Sequence, residues 1–123
     1  MNYIPDTELA HLLSVLINGL GLDHIPPEQV KVIRSRGTKG RRTLARIHTL
    51  SRALQEGLGM KPHYVIEVIS ETFDRLSSEE QTKTLIHELL HIPRSFGGGF
   101  RHHKSHVNKR TVERAFKQLS PHL

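Results

Sequence analysis

The stretch Thr84-Leu85-Ile86-His87-Glu88-Leu89-Leu90-His91-Ile92-Pro93 decides how the rest of the chain is read. It contains His-Glu-x-x-His. In an α-helix, positions i and i+4 share a face, so His87 and His91 direct two imidazoles at one metal ion. Glu88 sits one step round the helix, where it can poise a water without ligating the ion. In a chain with 10 histidines among 123 residues, five letters carry little weight alone. Two surface histidines on a polar helix are the competing reading, and context has to separate the two.

The context starts upstream. Ser77-Ser78-Glu79-Glu80 forms a capping box, with Ser77 at the N-cap and Glu80 three residues on. The helix it opens runs through Leu85, Ile86, Leu89, Leu90 and Ile92 and stops at Pro93. These apolar residues form one broad face to bury, while Thr84, His87, Glu88 and His91 make a polar stripe on another. Downstream, Gly97-Gly98-Gly99 predicts a flexible loop that brings the chain back over the stripe. Arg101-His102-His103-Lys104-Ser105-His106 then supplies three more histidines. Residues 109–119 predict a last amphipathic helix through Val112, Ala115, Phe116 and Leu119.

Moving towards the N-terminus, residues 62–69 read as the clearest strand, aromatic and β-branched. Residues 51–56 favour helix on propensity, broken by Gly57 and Gly59. Residues 44–50 predict a strand that pairs with a strand over 30–35 through the basic, Gly-containing turn 37–42. Residues 23–28 carry two prolines and form a connection. Residues 6–20 predict a helix, with Leu9, Leu12, Leu13, Leu16, Ile17 and Leu20 at helical spacing and Asp6 or Thr7 as cap. His11, between apolar positions there, reads as a helix-surface or core-edge histidine.

Length allows one compact domain, residues 1–123, and the lean apolar content of 36% makes its core depend on Leu, Ile and Val. With no cysteine, any metal must be held by His and carboxylates. No run of 18 apolar residues suggests a membrane span, and no secretory signal is evident, so the expected location is the cytoplasm. The net charge is +6. Basic residues cluster as Arg34, Arg36, Lys39, Arg41, Arg42 and Arg46, and again as Arg101, Lys104, Lys109, Arg110 and Arg114. Both groups offer an association with nucleic acid.

A catalytic zinc takes three protein ligands and keeps one position open. The third donor must therefore come from beyond the motif, and His102, His103, His106 and Glu113 are the candidates that follow the loop. Here a resemblance enters. Residues 61–80, then His87 to Pro93, then Gly97-Gly98-Gly99-Phe100-Arg101-His102-His103 resemble the small zincin-like phage-type metallopeptidases, and more distantly the SprT-like zinc proteases. That resemblance implies His87, His91 and His103 as ligands of one Zn2+ per chain and Glu88 as general acid/base. His106, Arg101, Tyr64 and Glu113 remain as alternative ligand or oxyanion stabilisers.

The expected fold is thus α+β, a minimal zincin-like domain. It has an N-terminal helix, a small mixed or antiparallel sheet, the motif-bearing helix and a C-terminal helix. The expected function is hydrolysis of peptide or protein substrates, with a peptide pairing on the 64–69 strand if that strand lies at a sheet edge. A nucleic-acid module with a structural metal, or a zinc-binding scaffold without catalysis, is the alternative.

Overall fold

The computed structural model describes residues 1–38, 42–101 and 107–119. Strand β1 (Asn2–Pro5) leads into helix α1 (Thr7–Gly19), which Asp6 caps by accepting from Leu9 N at 2.9 Å. A 3-10 turn (Pro27–Gln29) follows, then β2 (Val30–Arg36), β3 (Ala45–Thr49), α2 (Arg52–Leu58) and β4 (Tyr64–Ile69). A single helical turn, α3 (Ser70–Phe73), connects to the motif helix α4 (Ser78–Leu90), and α5 (Lys109–Leu119) comes last. The expected capping box of α4 is present, since Ser77 Oγ accepts from Glu80 N at 3.2 Å.

The sheet order is β1-β2-β4-β3, with β2 parallel to β4 and the other two pairs antiparallel. This corrects one expectation, since β3 does not form a hairpin with β2. It also decides a condition left open: β4 is an interior strand, so no peptide can add to it as an edge. The physical reason lies in β4 itself, where only Val65 escapes burial. A strand buried on both faces belongs between two others. Leu44, which leads into β3, is fastened at the end of β4, where Ile69 N donates to Leu44 O at 3.0 Å. β1 was not foreseen, because four residues ending in Pro5 carry little strand signal. Proline is admissible there because β1 is an edge.

One face of the sheet carries the core. Val30, Val32, Tyr64, Ile66 and Val68 pack against Leu9, Leu13 and Leu16 of α1 and Leu85, Ile86 and Leu89 of α4. The helices therefore lie on the same side as the alternate residues Ala45, Ile47 and Thr49 of β3, which the register sets opposite Val68, Ile66 and Tyr64. Arg34 does not belong to an open basic cluster. It pairs with Asp6 at 3.1 Å, with Asp74, and donates to Ser70 Oγ, tying the start of α1 to the region beyond α3.

Candidate metal centre and cleft

The α4 helix places His87 and His91 as their i, i+4 spacing requires. Their Nε2 atoms stand 3.3 Å apart, with the rings at 74° to each other. Two nitrogens each about 2.0–2.1 Å from one tetrahedral zinc lie about 3.3–3.4 Å apart, so the pair fits a shared ion. A proton shared between the rings suits that distance equally. The second contact of His91 is the kind a metal-ligating histidine makes through its other ring nitrogen: its Nδ1 faces Arg101 O at 3.0 Å. A carbonyl can only accept, so Nδ1 carries the proton and Nε2 presents a lone pair. Arg101 N in turn donates to His91 O at 2.8 Å, which fixes the returning chain against the end of α4.

That return is anchored at more points. Tyr64, fully buried, donates its hydroxyl to Gly99 O at 2.8 Å and accepts from Gly98 N at 3.0 Å. Gln55 Nε2 donates to Gly97 O and Leu50 O. Phe96 packs edge-on against Tyr64. Residues 97–99, expected as a flexible loop, are tied down from two elements, α2 through Gln55 and β4 through Tyr64. Gly98 has φ 109°, and a Cβ there would meet Leu50 O at 2.9 Å, so this position requires glycine. Tyr64, offered by sequence as an oxyanion stabiliser, is positioned instead to hold this loop.

Glu88 is buried and lines both cavities that flank the histidine pair. Burial pushes its carboxyl up to about 7. A cation at the histidines would favour the charged form and draw it down again. The first cavity, about 680 Å³, lies between α4, α5 and the chain leading into β3, with Arg42, Leu44, Lys83, Lys109 and Glu113 among its walls. The second, about 520 Å³, is formed by Ala45, Ile47, His87, Glu88, His91, Phe100 and Arg101. Ala45, His87 and Glu88 belong to both, so the two make one cleft running along β3.

Glu113 lies in the first cavity, where Lys83 Nζ approaches it at 2.9 Å. The Lys83 hydrogen bond holds its carboxyl below the usual range. His102, His103 and His106 lie outside the described residues. Among the described residues no group of three or more His, Asp or Glu converges on one point, and no helix is long and apolar enough to cross a membrane.

β3 is the wall that sequence reasoning missed. Leu44 O accepts from Ile69 N of β4 and Leu50 N donates to His63 O just before it, so by antiparallel alternation Ala45, Ile47 and Thr49 turn their N–H and C=O groups outward. Among the described residues no strand pairs with this edge of β3, which borders the cleft, and Ala45 brings it close to Glu88. Its alternating sequence was legible as a strand, but its place beside α4 depends on β4 taking the centre.

The sequence profile of the family described as putative phage metallopeptidase matches residues 1–120. No curated protein and no solved structure matches the chain. The comparisons do not show the more distant likeness to SprT-like proteases that the sequence suggested.

Proposed function

The chain belongs to the phage metallopeptidase family, and from that premise we propose that it is a zinc-dependent peptidase of the cytoplasm with Glu88 as general acid/base. The observation that carries this reading is the His87–His91 pair, 3.3 Å apart with His91 oriented by Arg101 O. His103, in the Arg-x-His that follows the loop, is proposed as the third ligand. Zinc held there supplies a Lewis acid for the scissile carbonyl and makes a water acidic enough to lose a proton near neutral pH.

The remaining steps belong to the chain's own groups. The outward N–H and C=O groups of Ala45 and Ile47 hold an extended peptide as an added strand. Glu88, at the junction of the two cavities, takes the proton from the attacking water and gives it to the leaving amine. The reciprocal bonds between His91 and Arg101 keep the imidazole oriented. Stripping the purified protein of metal with a chelator should abolish cleavage of an unfolded protein substrate, and zinc should restore it. Full activity after verified metal removal would contradict the proposal.

A second reading, association with nucleic acid, is favoured by α5, which presents Arg110 and Arg114 to solvent on the helix that walls the cleft.

A further inference from the structure

We infer that the cleft cuts internal peptide bonds, and that it selects its polypeptide through a hydrophobic side chain seated between Ile47 and Phe100. This rests on the peptidase reading and adds to it the class of substrate. The first observation is Phe100 itself, 45% exposed and yet firmly placed. The residue before it is held by Tyr64 through Gly99 O, and the residue after it by His91 through Arg101 N. Its ring meets Tyr64 edge-on at 5.9 Å. The loop thus presents an aromatic ring at the wall of the cavity that contains His91. Of the other large exposed hydrophobic residues, Met1, Tyr3, Ile4, Leu54, Leu58 and Met60, none lines either part of the cleft.

The second observation is periodicity. A strand added to β3 turns alternate side chains to the helix face, about 6.6–6.8 Å apart. A residue across from Ala45 lies at His87 and Glu88. The next one on that face, two positions along, lies across from Ile47 and beside Phe100. The space there, about 520 Å³, admits a Leu or Phe side chain. The third observation is that the cleft continues past Glu88 on the other side, as the cavity of about 680 Å³. Room on both sides of the reacting position suits a bond within a chain.

Ten-residue peptides blocked by acetyl and amide groups, differing only in Ala, Leu, Phe or Asp at one position, provide the test. Internal cleavage is expected, with Leu and Phe preferred at one fixed distance from the cut. Phe100→Ala should raise KM for the Leu peptide about tenfold or more, with little change in kcat or in KM for the Ala peptide. Phe100→Leu should recover most of the loss, and zinc content should be unchanged in both variants. Fluorescence anisotropy on Glu88→Gln protein should rank the same peptides identically, and the ranking should vanish when Phe100→Ala is added. Cleavage that requires a free terminus, or a preference that survives Phe100→Ala, would overturn the inference. So would equal binding of the Ala and Leu peptides. If the parent cuts none of these peptides while binding keeps its Phe100-dependent order, the hydrophobic subsite stands and the peptidase reading falls.

Discussion

Two glutamates sit inside this molecule, and their neighbours drive them in opposite directions. Glu88 has burial alone to contend with and is pushed up to about 7. Glu67 is also buried, which opposes its charge. Hydrogen bonds from Ser35 at 2.6 Å and His48 at 2.8 Å, with the charge of Arg46, nevertheless hold its carboxyl below the usual range. A carboxylate whose folded pKa is depressed contributes stability that is present above its ordinary value and lost as pH falls through the folded one. Glu67→Gln should therefore cost about 1.5–3 kcal/mol at pH 7, judged by hydrogen bonds to a charged group. In denaturant titrations the deficit relative to the parent should shrink below pH 4.5, the ordinary value. A constant deficit from pH 3 to 7 would show that packing, and not charge, is at stake. At this scale the motif was legible because helical period alone aligns His87, Glu88 and His91. The part played by Arg101 was not, since it acts through its main-chain oxygen and any residue type could supply that.

Among the elements, α1, α4 and α5 were readable from caps and apolar spacing because those signals are local. The place of β3 was hidden. Its alternating residues specify a strand, but its partner is set by the more buried β4, which claims the middle of the sheet. The loop after Phe96 was misjudged for a related reason. Three glycines in sequence suggest freedom, whereas Tyr64 and Gln55, distant in the chain, fix them. Gly98→Ala tests this directly. Its positive φ and the approach to Leu50 O should force the loop to shift. Zinc affinity is expected to fall about 10- to 100-fold, the range for a lost outer partner of a ligating histidine. An affinity equal to the parent's would show that the loop does not support the centre. Loss of the α4 cap by Ser77→Ala should cost about 1 kcal/mol of stability, measured in denaturant, with zinc affinity unchanged.

Across the whole molecule, charge and chemistry occupy different parts. Arg34 is taken up by Asp6 and Asp74, and Arg46 lies 3.8 Å from Glu67, so the first basic cluster is partly neutralised within the fold. α5 keeps Arg110 and Arg114 exposed. If the protein associates with nucleic acid, binding should weaken steeply with salt, and the double variant Arg110→Ala, Arg114→Ala should reduce the salt slope by about 2. An unchanged slope would remove α5 from that role. The fold joins these features by laying an edge strand of the sheet beside a helix that carries the histidine pair and a buried carboxylate. The central claim is that Glu88 moves the proton while the histidines hold the metal, and Glu88→Gln separates the two functions. Zinc content measured by mass spectrometry alongside cleavage of an unfolded protein is expected to show the metal retained at one per chain and turnover reduced by at least about a hundredfold. Cleavage at the parent's rate would contradict the account.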